Sequence, residues 1–252
     1  MRIAVVHGIV LAISLAPAGT AHGEQVPPAP RAARDGVRAY ISINAGAQLT
    51  RSDFTGDLTF PLYGESAGVD TRSDVPAGPL VDIGAGVRVA GGLAVGATVT
   101  RCQQRASATL DARLPHPLLP ETQRPLTETA VDLDRAETAI HTYVAWLAPA
   151  GDRVTVAVFG GPSFFRLEQD IVSGLDLDEA YPFDEVSLQG IRTVREEEST
   201  TGFSVGTDVI YRLTRSVGVG GIARYSRGTL DVGGNDGRTG GLQLSGGLRV
   251  VF

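Results

Sequence analysis

The sequence predicts an all-β protein: an eight-stranded, antiparallel, up-and-down transmembrane β-barrel spanning residues 39–252. Three observations predict it. Apolar residues alternate with polar residues or Gly in eight segments, the period-two signature of strands with one apolar face. Neighbouring segments fold onto one another with apolar opposite apolar. The connections between them alternate between tight and long.

Residues 1–21, "MRIAVVHGIVLAISLAPAGTA", read as a signal peptide: one Arg, an apolar run from Ile3 to Ala18, then small residues suited to cleavage near Ala21. The run is shorter than the ~20 residues a spanning helix needs. Residues 22–38, rich in Pro, Ala and Arg, read as a flexible periplasmic leader. The first strand follows in "YISINAGAQLTR", where Ile41, Ile43, Ala45, Ala47 and Leu49 alternate with Ser42, Asn44, Gly46 and Gln48.

"LVDIGAGVRV" and "LAVGATVT" repeat the pattern, and a turn centred on Gly91 pairs Ile83 with Val99, Ala85 with Ala97 and Val87 with Val95. "IHTYVAWL" and "RVTVAVFGGPSFF" flank a second turn; a centre at Ala150 pairs Trp146 with Val154 and Val144 with Val156. "GFSVGTDVIYRL" and "VGVGGIARYSRG" flank a third, and a centre at Arg215 pairs Tyr211 with Val219 and Val205 with Tyr225. The eighth strand runs through Leu242, Leu244, Leu248 and Val250 to Phe252. The four long connections, roughly 52–79, 112–136, 171–200 and 231–239, carry Pro, Asp, Glu, Ser and Thr and read as exposed loops. Pro162, inside a strand run, reads as a bulge or outward bend near the rim.

Alternation alone does not say which face meets lipid. The strands reach the ~9–11 residues a tilted strand needs to cross a bilayer. Short turns at one end and long connections at the other match membrane barrels. Trp146, Tyr211 and Phe252 fall near the short-turn end, where an interfacial girdle belongs. The opposite face then lines the lumen with Gly together with Asp82, Arg88, Asp208, Arg224 and Arg249, a charge network suited to plugging a narrow interior. In the turn-centred register Asp208 and Arg224 lie diagonally adjacent, so they are the expected ion pair.

A signal peptide, eight alternating strands, "GGPSFF" followed by an acidic segment, and a last strand ending in Phe resemble the small outer-membrane β-barrel family of Gram-negative bacteria, which includes the OmpA transmembrane domain and OmpX. The resemblance implies residence in the bacterial cell outer membrane. It implies that Phe252 is part of the assembly signal read by the barrel assembly machinery. It further implies contact with outer-membrane lipid and lipopolysaccharide, and an extracellular ligand for the loops.

Other chemistries find little support. All basic residues are Arg, the net charge is −6 and no basic cluster stands out, so nucleic acid is not an expected partner. Cys102 is the single cysteine and can form no intrachain disulfide. The acidic run "DLDEAYPFDE" lacks the spacing of a calcium loop and reads as a solvated face, so neither metal nor cofactor is expected. An outer-membrane lipid hydrolase needs a nucleophile beside a His base. Beyond the leader only His116, in a Pro-rich loop, and His141, inward by parity and opposite Phe159, are present. The expectation is a non-enzymatic barrel with a plugged polar lumen and a structural or surface-interaction role; the alternatives are a narrow channel, a secreted soluble barrel around an apolar ligand, and a lipid hydrolase.

Overall fold

A computed structural model describes residues 39–232 and 235–252; the signal peptide and leader read from the sequence lie outside them. Its strands are β1 (Ala39–Gln48), β2 (Ser52–Leu62), β3 (Glu65–Val75), β4 (Gly78–Ala90), β5 (Leu93–Pro115), β6 (Gln123–Pro149), β7 (Val154–Glu179), β8 (Val186–Arg212), β9 (Val217–Val232) and β10 (Asn235–Val251). Eight of them close a ring in the order β1–β4–β5–β6–β7–β8–β9–β10 and back to β1, every pair antiparallel. The remaining two, β2 and β3, form a hairpin whose second strand pairs with the upper part of β5.

Closure joins Tyr40 to Val251 and Gln48 to Gln243, and the amide of Phe252 donates to the carbonyl of Ala39 at 2.9 Å. With no free edge around the ring, the strands satisfy one another's backbone groups, which hydrocarbon requires. Outside lies the apolar belt: Ile43 and Ile83 are each 58% exposed, beside Val81, Val99, Val144, Leu244 and Leu248, all exposed. A soluble barrel around an apolar ligand demands the reverse arrangement. Exposed Trp146, Tyr211 and Phe252 rim the belt at the short-turn end, and exposed Phe164, Phe203 and Tyr225 rim it at the other. On β8 the eight steps from Phe203 to Tyr211 rise about 20 Å for a strand tilted by about 40°.

The registers expected around Gly91 and Arg215 are observed, with Ile83 opposite Val99 and Val205 opposite Tyr225. The second hairpin is displaced: Trp146 faces Val158 and not Val154, and Val144 faces Gly160. Pro149 still pairs with Thr155, so the chain reverses over 150–153, with Gly151 at φ +106°. The slip is four residues, an even number, so every side chain keeps its face. At Pro162 there is no register shift; instead the β6–β7 ladder skips Thr142 and Tyr143 between the pairs His141–Ser163 and Val144–Gly160. Proline has no amide hydrogen to contribute there.

The larger correction concerns the long connections. Three of the four are not exposed loops but strand: β5 and β6 run on to Pro115 and Gln123, β7 and β8 to Glu179 and Val186, and β2–β3 fills the first connection. The described part of the fourth is strand as well, at the ends of β9 and β10. The three tall hairpins share a second core above the belt, in which Val69, Ala108, Leu110, Leu114, Leu133 and Leu175 are buried. On β5 the change is visible residue by residue. Odd positions Val95, Ala97 and Val99 face outward; beyond them the apolar residues are the even, inward Ala106, Ala108, Leu110, Ala112 and Leu114. A bulge at 131–132, with Asp132 at φ +63°, keeps both Ala130 and Leu133 buried. The β2–β3 hairpin turns on Tyr63 and Gly64 at φ +52° and +81°, the two positive values of a type I′ turn.

Closure leaves a clear mutational contrast. A Cβ at Gly247, inside the β1–β10 seam, falls 1.9 Å from the carbonyl oxygen of Ile43, whereas one at Gly221 meets nothing nearer than 3.8 Å. Gly247→Val is expected to abolish the heat-dependent shift of the refolded protein on a detergent gel, and Gly221→Val to retain it.

Candidate functional site

The lumen is filled by polar side chains joined in one hydrogen-bonded chain. Near the short-turn end, Asp208 on β8 takes a bidentate pair from Arg249 on β10, Nε to Oδ2 at 3.1 Å and Nη2 to Oδ1 at 3.0 Å. Arg249 Nη1 also donates to Asn44 Oδ1, and Asn44 Nδ2 donates to Asp82 on β4. The other Asp82 oxygen accepts from Arg224 Nη2 at 3.4 Å, and Arg224 Nη1 donates to Thr100 at 2.8 Å and to Gln243 at 3.4 Å. Gln243 donates to Gln48 at 3.0 Å, and Gln48 to the carbonyl of Gly240 at 3.1 Å. The amide of Gly240 and the hydroxyl of Thr239 donate to Glu137. Arg135, on the same strand as Glu137, reaches Gln169 at 2.6 Å.

Carboxylates Asp82, Glu137 and Asp208 thus share the lumen with guanidiniums Arg135, Arg224 and Arg249, all buried except the half-buried Asp208. Balanced charge is what makes such burial tolerable, because an unpaired ion away from water costs several kcal/mol. The expected Asp208–Arg224 pair is not the one formed: Asp208 pairs with Arg249, and Arg224 crosses the lumen to Asp82. Arg88 lines a cavity of about 120 Å³ at the short-turn end, walled by Tyr143, Leu147, Phe159 and Ile222 and floored by the network. Tyr40 and Tyr143 join hydroxyl to hydroxyl across it at 3.0 Å. Asn44, Gln48, Thr100 and Glu137 were missed as partners, although each sits on the polar phase of its strand.

His141 faces Ser163 rather than Phe159, a consequence of the four-residue slip, and its Nδ1 shares a 2.7 Å hydrogen bond with Ser163 Oγ. Both are buried, His141 lies edge-on to Phe165, and its Nε2 meets no partner among the described residues.

At the far end the three tall hairpins lock together. Arg124, 4% exposed, holds Glu179 at 2.6 Å, the carbonyl of Pro115 at 2.8 Å and that of Phe183 at 2.9 Å. Tyr63 also donates to Glu179, which raises its phenol above the ordinary range. The amide of Glu121 donates to Glu65 at 3.0 Å. Within the β7–β8 hairpin Asp176, the first residue of the acidic run, pairs with Arg192, and lower down Asp170 pairs with Arg195 and Glu197 with Arg166. Exposed pairs of this kind contribute little to stability. Above them the tips present Leu118, Leu119 and Tyr181, the last 82% exposed.

A closed eight-stranded ring with an apolar belt, aromatic rims, short turns at one end and a plugged polar lumen defines a transmembrane β-barrel of the outer-membrane type. Among solved structures the chain is similar to Neisserial surface protein A, at 17% identity and a TM-score of 0.46 over 86% of this chain and 100% of that one. It is also similar to the outer membrane protein OprG from Pseudomonas aeruginosa, at 10% identity and 0.43 over 85% and 95%. Ail, the attachment invasion locus protein of Yersinia pestis, follows at 12% and 0.34 over 83% and 97%. No protein-family model matches the chain, and no curated protein does.

Removing one partner of the Asp208–Arg249 pair strands the other in the lumen, at a cost of roughly 3–5 kcal/mol. Arg249→Met is expected to lower the urea midpoint of the refolded barrel markedly. The double variant Arg249→Met with Asp208→Asn is expected to recover part of the loss.

Proposed function

We propose that the chain is a non-enzymatic outer-membrane protein whose plugged barrel anchors a stiff extracellular extension that meets partners outside the cell. The observation that carries this reading is the second core. Pro115 lies sixteen residues beyond Val99 on one uninterrupted strand, which projects the tips about 40 Å past the belt at the usual rise and tilt. Ordering so much chain against conformational entropy calls for a use at its end. The tips combine exposed Leu118, Leu119 and Tyr181 with acidic Asp178, Asp184 and Glu185, a composition suited to a protein surface with apolar and basic groups.

Against a channel stands the hydrogen-bonded chain across the lumen. Against a hydrolase stands the placement of the His141–Ser163 pair, sealed inside the ring with no carboxylate on Nε2 among the described residues. Phe252, exposed and paired to β1, is the segment through which the assembly machinery engages the last strand. Lipid and lipopolysaccharide contact the belt and its outer rim.

Reconstituted in planar bilayers, the protein is expected to give no stable conductance steps, and incubated with phospholipid it is expected to release no fatty acid; either activity overturns this reading. Arg124→Ala is expected to open the tips to chymotrypsin, after Leu118 and Phe183, while the barrel keeps its heat-dependent gel shift.

A further inference from the structure

Just above the belt, the outer wall between β4 and β8 carries a groove of about 650 Å³. Arg101 and Arg105 on β5 and Arg195 on β8 border it, the buried Arg135 lies at its wall, and the segment Pro76–Pro79 forms one side. That segment is pinned from inside by Gln104, whose amide donates to the carbonyl of Pro76 at 2.8 Å. Asp134 and Glu168 also line the groove, so the three outward guanidiniums of Arg101, Arg105 and Arg195 meet two carboxylates there. Arg195 is engaged, with Asp170 at 3.0 Å and Asp134 at 3.9 Å. Arg101 and Arg105 are exposed and form no ion pair among the described residues.

Their height is set by the strand. Outward positions on β5 read Leu93, Val95, Ala97, Val99 and then Arg101, Gln103, Arg105. At about 3.3 Å per residue and a tilt of about 40°, the two free guanidiniums leave the backbone about 5 and 15 Å beyond the last apolar belt residue. That is the layer where lipid headgroups lie, and long basic side chains reach along it. A planar guanidinium forks onto phosphate oxygens. Two of them, outside any ion pair among the described residues and four residues apart on one strand face, fit a headgroup bearing one or more phosphates.

We propose that this groove binds the phosphate of an outer-leaflet lipid headgroup, with Arg101 and Arg105 as the principal contacts and Arg195 held in place by Asp170 as a third. The proposal rests on the outer-membrane reading above, which supplies the orientation with the tall hairpins outward. It assigns the lipid contact to one sector of the barrel, between β4 and β8. The phosphate chemistry is shared by lipid headgroups and soluble phosphates, and the lipid is favoured because the groove opens at the belt's edge.

The test uses the full chain refolded in detergent, titrated with purified short-chain lipopolysaccharide and read by native mass spectrometry. Arg101→Gln with Arg105→Gln is expected to weaken binding about tenfold or more. Arg72→Gln with Arg113→Gln, the same charge change high on the extension, is expected to leave it unchanged. Wild-type protein is expected to bind the dephosphorylated lipid as weakly as the groove variant binds the intact one. Equal affinity of wild type and groove variant, or of phosphorylated and dephosphorylated lipid, overturns the proposal. Inorganic pyrophosphate binding as tightly as the lipid overturns the lipid assignment in favour of a soluble phosphate. A wild-type protein without a heat-dependent gel shift strikes the barrel reading itself, whereas a retained shift with unchanged affinities strikes only the groove.

Discussion

Closure of β1 on β10 is the constraint on which the rest of this molecule depends. In hydrocarbon every strand must find partners on both sides, and the ring has none to spare. Closing eight strands fixes a narrow interior, so what lines it must be either small or mutually satisfied. Gly46, Gly84, Gly206 and Gly247 supply the first solution, and the chain from Asp208 to Glu137 supplies the second. The long-range members of that chain, Arg249 to Asn44 and Arg224 to Asp82, tie strands that are distant in sequence. The network is therefore a product of closure as well as a filling for it.

Much of the barrel was legible because lipid enforces a simple rule on each strand separately. Ile83, Val99, Val205 and Tyr211 declare their face by parity, and the Gly91 and Arg215 turns are short enough to fix register. The 150–153 turn is longer, and Pro149 invites an early reversal, so the register slid while the faces held. That slide hid the His141–Ser163 contact. The extension was illegible for a different reason. Above Val99 water replaces lipid, the apolar side chains move to the inward phase, and a search for outward apolar residues registers the inverted strand as an irregular loop. Leu110, Ala112 and Leu114 alternate as regularly as Val95, Ala97 and Val99, with opposite sign.

Inward placement of Asp82, Arg88, Asp208, Arg224 and Arg249 followed from parity, but their partnerships did not. Hairpin registers describe neighbouring strands, whereas Asp208 on β8 reaches past β9 to Arg249, and Arg224 spans the lumen to β4. No local pattern encodes which inward charges meet across a ring. The same applies to Arg124, whose buried pair with Glu179 depends on two hairpins standing side by side.

The strands that cross the membrane are the same strands that build the extension; the β5–β6 ladder runs unbroken from Thr100 to Ala106, and the β7–β8 ladder from Phe164 to Gln169, out of one medium into the other. A pull applied at the tips therefore runs along the strands, loading many backbone hydrogen bonds together in shear instead of peeling them apart in turn. Such a structure behaves under tension as one rod set in the membrane, with no hinge at the waterline to absorb the load.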